Sequence, residues 1–167
     1  VRPTLLPMDS NLAMVDMEKN AIFIQGNFFS ELMLAGPGAG RLPTASSVMS
    51  DLLDLANETK SPTLGLSSNK LEKNIKSESI NSNRYYLRLF LPDVSGTMAS
   101  ITNAMARFNI SIDDITQRIS KKMKDRNLVP ITIISSLTDV NSINKAVEEI
   151  NKNNYSPLSP NIIVIED

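Results

Sequence analysis

Between residues 84 and 166 the spacing of apolar side chains switches repeatedly from every second residue to every third or fourth, which leaves few folds open. Arg84-Tyr85-Tyr86-Leu87-Arg88-Leu89-Phe90-Leu91 alternates and is rich in aromatics, as a half-buried strand requires. Pro92-Asp93-Val94-Ser95-Gly96 is a turn, and Thr97 to Phe108 then carries Met98, Ile101, Met105 and Phe108 at helical spacing. Ile110-Ser111-Ile112 opens a second strand that runs toward Ile119. Leu128 to Ile134 is a third strand, and Val140, Ile143, Val147 and Ile150 mark a second helix capped by Thr138 or Asp139. Asn161 to Ile165 is a last strand. Pro130 donates no ladder hydrogen bond, so it belongs at an edge, a bulge or a strand start. Ser120 to Asn127, with Lys121, Lys122, Lys124, Asp125 and Arg126, reads as a solvated, charged hairpin tip.

The order β-α-β-β-α-β predicts a ferredoxin-like sandwich, an antiparallel sheet with both helices on one face. Alternate strand residues point to opposite faces, so Tyr86 and Phe90 share one face while Leu89 lies on the other. A core drawn from about 80 residues is small, and a homodimer or higher homo-oligomer would add cover. The same element order occurs in RNA-binding domains, which need aromatic and basic groups on the third strand. Leu128 to Ile134 has neither.

The first 57 residues are organised differently. Ala21 to Ile24 and Glu31 to Ala35 read as strands joined through Gln25-Gly26-Asn27-Phe28-Phe29-Ser30, with Phe28 and Phe29 expected in a core. Met8-Asp9-Ser10-Asn11 is a turn. After the second strand comes Gly36-Pro37-Gly38-Ala39-Gly40, then a helix with Val48, Leu52 and Leu55 on one face and Thr44 as its N-cap. Strand, glycine loop and helix N-terminus in that order let a group approach bare peptide N–H donors at the positive end of a helix. The spacing is not a dinucleotide fingerprint, because the final x-x-G and the later acidic residue are both missing. These elements lack a layer to cover both faces, as in an incomplete domain or one covered by a partner chain. Residues 58–83 turn polar, with only isolated Leu64, Leu66, Leu71, Ile75 and Ile80, and read as a linker before a domain at 84–167.

Composition removes several chemistries. No cysteine means no disulfide, thiolate catalysis or zinc–thiolate site, and no histidine removes the commonest general base and metal ligand. With 17 basic and 18 acidic residues, the formal charge of -1 gives no footprint for nucleic acid. No apolar run approaches the length of a membrane span, and no basic-then-apolar leader opens the chain, so a cytoplasmic protein is expected. No metal site is expected.

Arg2-Pro3-Thr4-Leu5-Leu6-Pro7, Asn20 to Ile24, Glu31 to Leu34, the glycine loop and Pro43-Thr44-Ala45-Ser46-Ser47-Val48 occur in the order of the end of the catalytic region of homoserine dehydrogenase, which residues 1–57 resemble. Asp93-x-x-Gly96, the helix after it and Asn109-Ile110-Ser111-Ile112 make residues 84–166 similar to an ACT domain, an amino-acid-sensing module, with Ser95 where a proline is usual. The fold class expected is thus α+β, a partial catalytic sheet segment followed by an ACT-type domain. The resemblance implies NAD(P) as cofactor of a parent enzyme interconverting aspartate semialdehyde and homoserine, with Gly40 at the cofactor and Gly38 and Ala39 shaping the turn. It places no catalytic residue in residues 1–57, and a chain lacking the nucleotide-binding half would be inactive alone. It also implies an amino-acid effector, threonine by family, held between Asp93 and Gly96 of one copy and Ser111 of another. The alternative is an amino-acid-binding regulatory module with no catalytic role.

Overall fold

The computed structural model describes residues 1–28, 30–58, 68–70, 82–118 and 127–166. They form two compact units, residues 1–7 with 79–167 and residues 8–78. Most of the expected linker and charged hairpin tip lies outside the described residues, as does Phe29.

The first unit is built around a central strand, β4 (Ser82–Pro92). Its flanking partners are β6 (Leu128–Ser135) and β8 (Asn161–Ile165), both antiparallel, and β5 (Ile112–Gln117) pairs with β6. Tyr85, Leu87, Leu89 and Leu91 are at most 2% exposed. They pack against Ile101, Ala104 and Met105 of α2 (Thr97–Arg107) and Ile143, Ala146, Val147 and Ile150 of α3 (Val140–Lys152). Met98 and Phe108 pack partly buried against this core, whereas Val140, expected on the apolar stripe, is 47% exposed at the first position of α3. An ion pair between Arg107 and Glu149, at 2.6 Å, links the two helices. Tyr86, Arg88 and Phe90 take the alternate positions and line the sheet's helix-free face, with the Arg88 guanidinium 5.9 Å from the centre of the Phe90 ring.

β1 (Thr4–Leu5) adds a parallel strand outside β8, with Thr4 opposite Val164 and Leu5 opposite Ile165. The Glu166 N–H donates to the Leu5 carbonyl at 3.0 Å. The sheet order is therefore β1-β8-β4-β6-β5. A two-residue strand β7 (Thr138–Asp139) meets the start of β4.

Pro130 sits inside β6, opposite Phe90, yet costs no ladder bond. Its ring nitrogen faces the side where the β5 ladder has ended at the Gln117–Ile131 pair, and its carbonyl accepts from the Arg118 N–H at 3.3 Å. Phe90, lying past the end of β8, finds its partner in Ser156. That buried hydroxyl accepts from the Phe90 N–H at 3.3 Å and lies 3.2 Å from its carbonyl. Ser135 does the same at the other end, where its fully buried hydroxyl accepts from the Tyr85 N–H at 3.0 Å. Two side-chain hydroxyls thus complete the main-chain bonding of β4 where its neighbours stop.

Asp139 caps α3, accepting from the N–H groups of Asn141 at 2.9 Å and Ser142 at 3.0 Å. The Ser142 side chain, then the Ser142 and Asn141 N–H groups, holds the carboxyl below its ordinary 3.8, against a smaller opposing effect of burial.

The second unit contains an antiparallel hairpin, β2 (Lys19–Gly26) and β3 (Ser30–Pro37), and α1 (Arg41–Ala56). The ladder runs to the Gly26–Ser30 pair, so the connection is tighter than the six residues expected, and Phe28 points fully into solvent rather than into a core. Nothing in α1 is buried: Val48, Leu52 and Leu55 are all more than half exposed. Ile22 and Ile24 face Leu34 and Leu32 across the hairpin, and all four are exposed. α1 begins at Arg41, so Thr44 is not its N-cap; its N–H already donates to the Gly40 carbonyl at 3.1 Å. Pro43 is tolerated there because a first-turn residue needs no N–H. No helix among the described residues is long and apolar enough to cross a membrane.

Ser135→Ala should lower the unfolding free energy by about 1–3 kcal/mol, since the buried Tyr85 N–H loses its acceptor; urea denaturation checks this. The depressed Asp139 carboxyl stabilises α3 above its unfolded value of 3.8, and that stability is lost as pH falls through the lower folded value. Asp139→Asn should therefore flatten the acid limb of a pH-dependent unfolding profile followed by circular dichroism.

Candidate functional site

Among the described residues, the expected site residues fall in two main places. The first is the glycine loop between β3 and α1. Gly38 closes the end of the hairpin, its N–H donating to the Glu18 carbonyl at 2.7 Å. A methyl group on Gly38 would come within 2.0 Å of the Asn20 amide nitrogen, so that side chain lies directly against the glycine. Gly40 has φ +119 and ψ 151, a region essentially closed to side chains, and a Cβ there would meet Pro43 at 3.4 Å. The two glycines therefore answer different needs, close approach at 38 and backbone conformation at 40. Gly38, Ala39 and Gly40 are contiguous and exposed at the N-terminal end of α1. Pro43 has no N–H and that of Thr44 is engaged, so Arg41 and Leu42 supply the first-turn donors, fewer than a helix usually offers. Arg41, exposed at the same point, adds a cation beside the loop that the sequence pattern did not single out.

The second place is the turn between β4 and α2. Gly96 adopts φ +91 and ψ -16 as N-cap of α2, and a Cβ on it would meet nothing within 4 Å. The left-handed backbone asks for glycine, and the space above it is open. The Thr97 hydroxyl donates back to the Val94 carbonyl at 2.8 Å and bonds the Pro92 carbonyl at 3.2 Å, which stiffens the turn without the usual proline at Ser95. Asp93 is exposed, and its N–H donates to the Asn127 carbonyl at 3.3 Å. A crevice of about 60 Å³ opens here, with Asp93, Val94 and Thr97 on one side and Gln117 of β5 on the other. Gln117 was not visible as a site residue from spacing, because only the β5–β6 register brings it beside the turn.

Ser111 lies elsewhere. It precedes β5, and its carbonyl accepts from the Ser136 N–H at 2.9 Å. Ile112 pairs with Ser135, whereas the turn follows Pro92, which pairs with Leu128. Seven residues of β6, about 23 Å of strand, separate the two levels, so Asp93 and Ser111 of one copy cannot hold the same amino acid. Beside Ser111, Asp113 is held by Arg84, whose Nε lies 3.2 Å from Oδ2, and by the Ser136 hydroxyl at Oδ1.

The helix-free face of the sheet is a third concave region. A groove of about 520 Å³ runs between Tyr86, Arg88 and Phe90 on β4 and Asp114, Thr116 and Arg118 on the β5 side. A second of about 500 Å³ runs from Tyr86 and Arg88 to Pro3 and Leu5.

Comparison with known proteins matches residues 1–53 to the homoserine dehydrogenase family model and residues 85–154 to the ACT domain model. Homoserine dehydrogenase of Bacillus subtilis (strain 168) is 33% identical over 156 residues, covering 90% of this chain and 35% of the relative. That of Helicobacter pylori is 31% identical over 169 residues, covering the whole chain and 39% of the relative. The crystal structure of a homoserine dehydrogenase from Thiobacillus denitrificans superposes with a TM-score of 0.74 at 29% identity, covering 99% of this chain and 38% of that one. The chain thus spans a little over a third of the length of the proteins it matches. With relatives of this name 31–33% identical over 90% or more of the chain, and the ACT domain match following the homoserine dehydrogenase match along it, this chain belongs to the homoserine dehydrogenase family and carries an ACT domain.

Proposed function

We propose that this chain serves an NAD(P)-dependent homoserine dehydrogenase, supplying the end of its catalytic region and an amino-acid-responsive regulatory domain. The single observation that carries this reading is the pairing of an open-ended catalytic segment with a closed sensing unit. α1 and the hairpin expose their apolar faces, whereas residues 82–166 bury a complete core of their own. Helices with an uncovered apolar stripe are stabilised by what packs on them, and the remainder of the catalytic region is the fitting cover.

The cofactor supplies the hydride chemistry that interconverts aspartate semialdehyde and homoserine, on the route to threonine, methionine and isoleucine. The chain's own part is positional. Gly38, Ala39 and Gly40 allow the cofactor to approach the backbone, and the start of α1 with Arg41 favours a negative group there. The regulatory part binds an amino acid, threonine by family, at the Asp93–Gly96 turn. There the α2 N-terminus suits the carboxylate and Asp93 the ammonium. Ser111 enters this site only from a second copy, which is why a homodimer or higher homo-oligomer belongs to the reading. A location in the cytoplasm fits such an enzyme. A module with no catalytic partner accounts for residues 82–166 equally well but leaves the uncovered α1 without a purpose.

Assays of the purified chain with NADPH and aspartate semialdehyde should give no turnover; measurable reduction would overturn the division of labour. Calorimetry with threonine and the other common amino acids should show saturable binding that Asp93→Ala removes, and no binding by any of them would end the sensing reading.

At the glycine loop, Gly40→Val should speed amide hydrogen exchange over residues 41–44 whatever the ligand, because the backbone conformation itself excludes valine. Ala39→Val, which carries no such strain, should raise KM for the cofactor several-fold in the full-length protein. An unchanged KM would make the loop purely structural.

A further inference from the structure

The groove of about 520 Å³ on the helix-free face is of a size that small-molecule sites commonly have, and the strand register orders its lining into three rows. Tyr86, Ile134 and Asp114 form the first, since Tyr86 pairs with Ile134 and Ile134 with Asp114. Arg88, Thr132 and Thr116 form the second. Phe90 and Pro130 form the third, completed by Arg118, whose N–H donates to the Pro130 carbonyl at 3.3 Å. Successive rows lie about 6.6 Å apart along the strands. Charge is not spread evenly over them. The Arg88 guanidinium is 5.9 Å from the centre of the Phe90 ring, so it reaches out of its own row toward the end where Arg118 stands. The Asp114 carboxylate leans into the middle row, where Oδ2 accepts from the Thr116 hydroxyl at 3.0 Å.

Among the described residues neither Arg88 nor Arg118 has an ion-pair partner, whereas Arg84 at the start of the same strand is matched by Asp113. Contact with a ring face uses none of the N–H donors of Arg88. Two guanidiniums with donors to spare therefore converge over Phe90 and Pro130, in a chain whose formal charge is -1. We propose that this groove binds a small organic oxyanion, its carboxylate or phosphate held by Arg88 and Arg118 and a hydroxyl or amino group at its other end donating to Asp114. The guanidinium fork matches either oxyanion. Asp114 accepts one bond from Thr116 and keeps further lone pairs for a ligand. Asp114 and Arg118 stand four residues apart, about 13 Å along the strand, and the lean of Asp114 shortens that span. With a hydrogen bond at each end, a body of about three or four carbons fits between them. An α-amino acid, with its two charged groups on neighbouring carbons, fits that span less well.

The groove is separate from the Asp93 crevice, with which it shares no lining residue. Gln117 lines the crevice while its neighbours Thr116 and Arg118 line the groove, because successive residues of a strand point to opposite faces. The oxyanion site therefore does not depend on the amino-acid reading of the turn. The second groove, toward Pro3 and Leu5, shares Tyr86 and Arg88, but Arg88 is the only charged residue that lines it. It has no second guanidinium to complete the grip.

The test is amide NMR on the labelled 167-residue chain at about 150 mM salt, titrated with inorganic phosphate, glycerol 3-phosphate and 4-hydroxybutyrate. The two organic probes distinguish a phosphate head from a carboxylate one. At least one of them should shift the amides of residues 86–90, 114–118 and 131–134 saturably, with a Kd of about 1 mM or tighter, and leave those of residues 93–97 in place. Inorganic phosphate, which cannot reach Asp114, should bind several-fold more weakly than the better organic probe. Arg88→Gln and Arg118→Gln should each weaken binding about tenfold, as loss of a charge-assisted bond does. Asp114→Ala should erase the advantage of the organic probe over inorganic phosphate. All three side chains are exposed, and circular dichroism confirms that the variants fold. No saturable shift with either organic probe, shifts scattered over the other exposed cations, or arginine variants that bind as the wild type does would overturn the site. An organic advantage that survives Asp114→Ala would overturn the two-ended grip. Threonine is titrated separately, and its failure to bind at the Asp93 turn would remove the sensing role while leaving this groove as it stands.

Discussion

Everything in the first unit hangs on the register of β4. It is the central strand of the sheet, and its odd-numbered residues from Tyr85 to Leu91 are sealed beneath α2 and α3. A slip of one residue would bring Arg88 into the core and expose three leucines, so the register is strongly specified. The register also decides which end of the sheet carries the Asp93 turn and which carries Ser111. Ser135 and Ser156 complete the bonding of β4 beyond the reach of β6 and β8, so the strand can extend past its neighbours without leaving main-chain groups unpaired.

The two units differ in how far they satisfy themselves. Residues 82–166 enclose a core, cap α3 with Asp139 and tie α2 to α3 through Arg107 and Glu149. The hairpin and α1 instead present isoleucines, leucines and a valine outward. That contrast separates an ACT domain with a core of its own from a homoserine dehydrogenase segment whose apolar faces stay exposed, in a chain that spans a little over a third of the length of its relatives. Glycine plays two separate parts in the two candidate sites. At Gly40 and Gly96 the positive φ selects the residue, whereas at Gly38 the neighbouring Asn20 does.

The alternation of β4, most of the helical stripes of α2 and α3 and a cap at Thr138 or Asp139 were legible because local period and side-chain chemistry specify them, while the bonds from Asn141 and Ser142 select Asp139. The resemblance of separated motifs in residues 1–57 carried the family, which no single glycine spacing could have done. Sequence reasoning failed where the answer depended on partners distant along the chain. Phe28 looks like core, yet a ladder that continues to Gly26 and Ser30 leaves it at the tip of a tight connection. Thr44 has the chemistry of a cap, but Gly40 turns the chain four residues earlier and the helix starts at Arg41.

From its sequence alone this protein determined the order of its longer strands and helices, most of the inward set of α2 and α3 and the family it belongs to, since these depend on residue type and spacing. Tertiary structure alone decided that Gln117 joins the Asp93 turn, that Ser111 stands at the far end of the sheet and that, among the described residues, residues 4–5 occupy one edge and β5 the other. Those outcomes depend on which strands lie side by side and in what register. Non-local pairing is set by the packing of the whole core, which no stretch of sequence contains by itself.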